Sequence, residues 1–175
     1  MLVSLGTAPA VASASIHAAE VFTTGASGYA HWRAGNVDRR LVLRLALPGA
    51  AGGIAGAVLA AGLPGAWIRP LVSLYLLGMG AVLVVRAWRP KPVAAPTTRI
   101  VPLGLAGGFL DAAGGGGWGA LVASTLIGGG KAPRIAIGST NAAEFFVTCA
   151  VTLAFFTAIG LELWPVIAGL VAGGV

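Results

Sequence analysis

The residues best suited to chemistry are concentrated in two similar stretches, 7–22 and 131–146. Fifteen aligned positions of these stretches include eight identities, at a constant offset of 124 residues. Each stretch carries a carboxylate, at Glu20 and Glu144, and ionisable groups inside a membrane helix mark a functional site by default. The predicted substrate-binding residues in the two stretches are Ser15, His17, Glu20, Ser139, Thr140, Asn141, Glu144 and Lys131.

The polar residues of each stretch share one helix face. His17 and Glu20 are three residues apart, as are Asn141 and Glu144, so each pair projects from one side of its helix. Two related helices can bring such faces toward a shared axis, as in transporters built from repeats. Burial disfavours the charged form of a carboxylate, so Glu144 and Glu20 are candidate proton carriers, neutral when an anion enters and ionised when it leaves. The alternative is that these groups only hydrogen-bond the helices together.

The glycine runs and Lys131 are candidates for an anion-binding site. Lys131 and the helix N-terminus predicted at Pro133 provide positive potential. The glycine run 114–117 is unfavourable in a helix, so we expect two half-helices that meet near Gly114. Asp111, just before this run, either lines a cavity or caps the second half-helix. The predicted substrate-binding set is completed by Gly114, Gly115 and Gly116.

The sequence predicts no metal, cofactor or catalytic residue. His17 and Glu20 resemble half of a metal site, but no second histidine lies nearby, and the second stretch has Asn141 where the first has His17. Cys149 is the only cysteine, so neither a thiolate cluster nor a disulfide can form within the chain. No Ser, His and acid follow a recognisable hydrolase motif. An intramembrane enzyme that uses His17 or Asp111 is kept as an alternative.

The composition is typical of a protein that crosses a membrane several times. Of the 175 residues, 57% are hydrophobic and 9% are charged, against about 25% charged residues in soluble domains. Most of the basic residues behind the net charge of +6 fall in 33–44 and 86–99, between apolar segments. Cytoplasmic loops of membrane proteins have this pattern, whereas nucleic-acid surfaces do not. The predicted partners are therefore the lipid bilayer and a small anion, without nucleic acid. No cleavable signal peptide is evident.

The apolar segments predict an all-α, polytopic transmembrane helical bundle. A first helix begins near Pro9, where the missing N–H costs nothing, and a polar loop follows at 31–40. A segment at 100–130 is interrupted by glycines, and a last helix begins near residue 163. Three further segments are long enough to cross about 30 Å of hydrocarbon; they are 41–63, 67–88 and 133–157.

The repeated stretch predicts an internal duplication. The first repeat covers 1–88 with three helices and lacks its N-terminal part. A basic, Pro-rich linker covers 89–99. The second repeat covers 100–175, with a helix broken near 107–117 and two further helices, and lacks its C-terminal part. If 100–130 crosses the membrane once, the repeats are parallel; if it is re-entrant, they are inverted. Four spans per repeat favour the parallel form, which we predict, whereas the loop charges favour the inverted form.

These motifs resemble the sulfite exporter TauE/SafE family. The resemblance rests on the doubled phrase A-P-x-x-A-x-x-S-x-x-A-A-E-x-F, on the glycine run 114–117 in a broken helix, and on the loop 29–40 of the form Y-x-x-W-R-x-G-x-V-D-R-R. It implies a multi-pass permease of the bacterial inner membrane that exports or imports small sulfur-containing or organic anions, such as sulfite and sulfonate. The buried carboxylates add proton coupling to this expectation. A truncated or non-transporting membrane subunit of the same family is the alternative, and a homo-oligomer is left open.

Overall fold

The computed structural model describes residues 8–88, 99–160 and 164–174. Every regular element in these ranges is helical, which confirms the predicted all-α class. The predicted linker 89–99 lies outside the described residues except for Arg99. The helices are α1 (Pro9–Arg33), α2 (Arg39–Gly62), α3 (Gly65–Trp88), α4 (Ile100–Gly114), α5 (Ser124–Gly128), α6 (Pro133–Ile159) and α7 (Trp164–Gly174), and a π-helical turn (Gly119–Ala123) leads into α5.

Proline begins the two helices that carry the repeated stretch. α1 begins at Pro9 and α6 at Pro133, because N–H groups of a first turn have no partner within the helix and a proline there costs no hydrogen bond. The predicted polar loop 31–40 is too long, since α1 continues to Arg33. The chain leaves this helix only where Gly35 takes a φ of 71°, in the left-handed region that glycine tolerates.

Three of the helices, α2, α3 and α6, are long and apolar enough to cross a membrane. They correspond to the three predicted crossing segments. α3 is exposed along almost its whole length and presents large apolar side chains, as a lipid-facing helix does; Leu71, Leu74 and Leu77 are examples. The chain is therefore a multi-pass helical membrane protein.

Helices α1 and α6 pack against each other in opposite directions. Gly28, near the end of α1, lies against Ala142, near the start of α6. Toward the other ends, the rings of His17 and Phe155 are 6.2 Å apart. Residues late in α1 therefore contact residues early in α6, and earlier residues of α1 contact later residues of α6. The two helices are antiparallel.

The glycine-rich segment forms a re-entrant hairpin. α4 runs beside α2 in the same direction, with Gly104 against Leu45 and Gly108 against Gly49. After the break, the chain returns through α5 to Lys131, which lies beside the start of α4 and α2 in one cleft. The segment therefore enters and leaves on the same side of the bundle.

This hairpin corrects the predicted parallel orientation. The counterpart helices α1 and α6 are antiparallel, so repeats of a duplicated chain would be inverted. In the predicted duplication α6 is the counterpart of α1, and α7 is the counterpart of α2. The contact of α2 with α6 is therefore matched by the contact of α7 with α1, as a two-fold axis between the repeats would require. The parallel prediction failed because apolar length alone does not distinguish one crossing from two half-helices that return. The repeat division at 1–88 and 100–175 stays a prediction.

The hairpin also collects the basic residues on one side of the bundle. The end of α1 and the starts of α2, α4 and α6 lie together there. We call this side the basic face; it carries Arg33, Arg39, Arg40, Arg99, Lys131 and Arg134. The start of α3 and its Arg69 lie at the opposite end of the bundle, beside Pro9.

Candidate functional site

A buried pair, His17 on α1 and Asp111 on α4, lies at the centre of the polar interior. Both residues are fully buried, and His17 Nε2 is 3.2 Å from Asp111 Oδ2. His17 Nδ1 is 2.9 Å from the Ser13 carbonyl oxygen, which can only accept a hydrogen bond, so Nδ1 carries a proton. The Nε2–Oδ2 contact needs a second proton. The pair is therefore imidazolium with carboxylate, or neutral imidazole with carboxylic acid, and is neutral overall in both forms.

Asp111 connects the two arms of the hairpin. It lies in the last turn of α4, and its Oδ1 accepts a hydrogen bond from the Trp118 backbone N–H at 2.9 Å. Its carbonyl oxygen accepts the Gly115 N–H at 2.8 Å. Asp111 thus caps the returning arm, which is one of the two alternatives that its position in the sequence leaves open; a role in lining a cavity stays a prediction. It was absent from the predicted binding set, although an acid directly before a glycine run was the available signal.

The helix breaks where three consecutive glycines have positive φ. The φ values of Gly115, Gly116 and Gly117 are 74°, 128° and 137°, which side chains with a Cβ rarely adopt. Gly114 is the last residue of α4, as predicted. Gly107 and Gly108 remain helical, because they lie against side chains and backbone of neighbouring elements. The break brings the Gly115 backbone close to Ser13 on α1.

Glutamates from both similar stretches lie near the buried pair. Glu20 Oε2 is 3.9 Å from His17 Nε2, and it is buried without a hydrogen-bond partner in the described structure. Glu144 interacts electrostatically with Asp111, Glu20 and His17. His17 and Asp111 are fully buried, whereas Glu20 and Glu144 are partly buried; we call these four residues the buried ionisable group. Three carboxyls and one imidazole in a low-dielectric interior cannot all be charged at low cost, so their protonation states are interdependent.

Two predicted site residues hold the helices together. The Asn141 side chain donates a hydrogen bond to Ser27 Oγ at 2.7 Å, between α6 and α1. Ser139 Oγ accepts the backbone N–H of Asp38 at 2.9 Å, between α6 and the loop before α2. Both contacts fit the alternative in which polar groups join helices, and neither residue contacts the buried ionisable group through a hydrogen bond.

Ser15 and Thr140 are buried beside the backbone. Ser15 Oγ donates a hydrogen bond to the Val11 carbonyl one turn earlier, at 2.9 Å. The Thr140 carbonyl accepts the Trp118 indole N–H at 3.2 Å, while the Thr140 hydroxyl has no partner among the described residues. A substrate role for Ser15, Ser139, Thr140 and Asn141 stays a prediction.

Lys131 lies at the basic face, apart from the buried ionisable group. Its Nζ is 2.9 Å from Asp38 Oδ2. The hydrogen bond from Lys131 holds the pKa of Asp38 below its ordinary value of 3.8, with help from the Leu41 backbone N–H. Asp38 is also the N-cap of α2, where its side chain accepts that N–H at 3.1 Å. Lys131 therefore stabilises the base of the hairpin, and contact with an anion stays a prediction.

A small cation could reach three of the buried ligand atoms. His17, Glu20 and Asp111 each offer one atom, and these atoms lie within 4.8 Å of one another. The hydrogen bond between His17 Nε2 and Asp111 already occupies two of the three atoms. The geometry therefore does not favour a metal ion over the proton that joins the pair.

A cleft of about 200 Å³ lies between the first two turns of α1, the first half of α3 and the end of α4. It lies in the half of the bundle opposite the basic face, and Gly114 and Gly115 at the break after α4 form one of its walls. It is lined by residues that include Pro9, Ser13, Arg69, Ser73, Gly114 and Gly115. Ser13 links the cleft to the pair, since its Oγ lies 3.3 Å from His17 Nδ1. We call this space the outer cleft.

Comparisons with known proteins agree with this architecture. The family model for the sulfite exporter TauE/SafE matches residues 1–175. A relative from Bacillus subtilis (strain 168), described as "Probable membrane transporter protein YtnM", is 39% identical over 185 residues. The alignment covers 100% of this chain and 62% of the relative, so the chain spans less than two thirds of that protein's length. No solved structure matches the chain significantly. Both descriptions indicate a membrane transporter and not an enzyme, and the chain belongs to the sulfite exporter TauE/SafE family.

Proposed function

We propose that the protein carries small sulfur-containing or organic anions, such as sulfite or sulfonates, across the bacterial inner membrane together with protons. The observation that carries this proposal is the buried ionisable group, which Ser13 links to the outer cleft through its contact with His17. The family's description supplies the class of anion. The cleft supplies access from one side, and the buried carboxyls supply a place for a proton.

The proton step follows from charge repulsion. An anion in the outer cleft approaches Ser13 and Gly115, close to the buried pair. Two like charges about 5 Å apart repel by about 3 kcal/mol at an effective dielectric constant of about 20. Protonation of Glu20 or Glu144 removes one negative charge near this site, so the anion binds more tightly to the protonated protein. Anion and proton therefore enter together and leave together.

Arg69 provides the positive charge that this path requires at its mouth. It lines the outer cleft near the start of α3 and forms no ion pair within the described residues. Its long side chain can reach the interface while it attracts anions toward the cleft. Lys131 could act on the anion only at the other side of the bundle.

The basic face gives the orientation in the membrane. Cytoplasmic loops carry the excess of Lys and Arg, so the basic face lies in the cytoplasm and the outer cleft opens to the periplasmic or external side. On the cytoplasmic side of the buried pair, Trp118 and Val122 are fully buried and close the path. We therefore propose that the described arrangement corresponds to the outward-open state of an alternating-access cycle.

Proton coupling is tested by Glu144→Gln in the full-length protein, reconstituted in liposomes. The wild type is expected to drive concentrative sulfite or sulfonate flux under a pH gradient. Glu144→Gln keeps the size of the side chain but cannot ionise, so exchange of anion at equal pH should persist while pH-driven accumulation is lost. Asp38→Asn is the matched control, because it removes a carboxylate at the basic face and should leave the pH dependence unchanged.

Two outcomes would count against this proposal. Unchanged pH-driven accumulation in Glu144→Gln would exclude this residue as the coupling carboxyl. A wild-type protein that moves neither sulfite nor sulfonates would reject the proposed substrate class and favour the non-transporting alternative.

A further inference from the structure

A second cleft lies at the basic face, far from the outer cleft. It has a volume of about 270 Å³ and lies between the starts of α2 and α4 and the loop that follows α5. We call it the basic cleft. Residues that line it include Arg40, Leu41, Arg44, Ile100, Leu126 and Lys131. None of them belongs to the buried ionisable group, and none of them lines the outer cleft.

The rim of the basic cleft carries uncompensated positive charge. Arg40 and Arg44 are four residues apart on α2, so their side chains share one helix face. Both are exposed. Asp38, the carboxylate that also lines the cleft, is already bound by Lys131 at 2.9 Å. Within 8–88, 99–160 and 164–174, no carboxylate forms an ion pair with either arginine.

The inner wall of the same cleft is apolar. Leu41, Ile100 and Leu126 are buried side chains of the hydrophobic core that line it. Arg44 lies five residues along α2 from Arg39, which corresponds to about 7 Å of helix rise. The two arginines therefore lie within the first two turns of α2, beside the apolar wall of the cleft.

We propose that the basic cleft binds the headgroup of an anionic phospholipid. The phosphate would lie between Arg40 and Arg44, where a guanidinium can donate two parallel hydrogen bonds to its oxygens. The glycerol and the first acyl carbons would cover the apolar wall. A free oxyanion could pair with the arginines at the rim, but it has no apolar part to bury against the wall. The lipid satisfies both the charge and the apolar surface, and we therefore assign it as the occupant. Basic pockets between helices on the cytoplasmic side are sites where anionic headgroups bind.

The test measures lipid preference in the full-length protein by native mass spectrometry. The protein is equilibrated with equal amounts of dioleoyl phosphatidylglycerol and dioleoyl phosphatidylcholine, and the ratio of retained lipids is counted. Each surface cation contributes about fivefold to binding of an anionic lipid, so Arg40→Gln with Arg44→Gln should lower this ratio by about thirtyfold. Arg39→Gln with Arg134→Gln is the matched control, because it removes the same charge from exposed positions outside the cleft.

The control pair should keep most of the wild-type ratio. An equal loss in both double variants would reduce the effect to general surface charge and overturn the specific site. Displacement of phosphatidylglycerol by excess inorganic phosphate would identify a free-oxyanion site and also overturn the proposal, as would a wild-type protein without preference. Should the glutamine pair fail to fold, Arg40→Lys with Arg44→Lys retains the charge without the planar fork and should show a reduced but measurable preference.

Discussion

Gly108→Ala tests whether close packing of α2 and α4 positions the buried pair. A Cβ at Gly108 would overlap the Gly49 carbonyl oxygen and lie 3.0 Å from the Gly49 Cα, inside the ordinary contact distance. Both obstacles are backbone, so the helices must separate. Overpacking of this kind costs about 1–3 kcal/mol. Alanine also has a better helix propensity than glycine, by about 1 kcal/mol, which offsets part of the loss.

Gly78→Ala on α3 is the control that separates the steric clash at Gly108 from the effect of helix propensity. A Cβ at Gly78 meets no atom within 4 Å, so only the propensity difference applies there. Unfolding of both variants in mixed micelles, followed by tryptophan fluorescence, should show Gly108→Ala to be less stable than Gly78→Ala by about 1–3 kcal/mol. Asp111 lies on α4, so transport should fall only in Gly108→Ala. If the two variants unfold within about 0.5 kcal/mol of each other, the inferred backbone contact is wrong.

Two further predictions concern polar contacts between helices. Asp38→Asn keeps a cap for α2 but loses the ion pair with Lys131, and an exposed pair of this kind contributes about 0–1 kcal/mol; Asp38→Ala also loses the cap, for about 1 kcal/mol more. Because the pKa of Asp38 is lowered in the folded protein, this stabilisation is full above the ordinary value of 3.8 and disappears as the pH falls through the lower folded-state value. Wild type and Asp38→Asn should therefore converge in stability at acidic pH, and a constant difference from pH 7 downward would contradict the assignment. A double-mutant cycle of Asn141→Ala and Ser27→Ala should give a coupling of about 0.6 kcal/mol; no coupling would mean that the 2.7 Å contact is not formed.

For the hairpin, local sequence patterns predict the break in the helix but not the course of its two arms. Glycines at 114–117 correctly placed the helix break, since positive φ is a property of single residues. Whether the two arms cross the membrane or return depends on contacts with α2, formed by residues about 60 positions earlier in the chain. Loop charge favours the inverted arrangement, which agrees with the antiparallel packing of α1 and α6, because basic residues of cytoplasmic loops share one side. Counting spans per repeat favoured the wrong one.

The candidate site is likewise predicted in part by the sequence and in part visible only in the structure. Acids at Glu20 and Glu144 stand out in the sequence because charge is rare in apolar helices, and the structure places both near one group. The partnership of His17 with Asp111 joins residues 94 apart, and no spacing rule reaches that far. Lys131 looked like an anion ligand from its neighbours in the chain, but its nearest charge in space is Asp38.

The sequence by itself determined the helical class, the helix starts at Pro9 and Pro133, the glycine break and the family, because each of these depends on residue types within a few turns. The tertiary structure decided the antiparallel contact of α1 with α6, the return of the hairpin, and the assembly of the buried ionisable group. The physical reason is that helices form through contacts three or four residues apart, whereas their arrangement depends on close approach of glycine faces and on a shared proton between distant side chains.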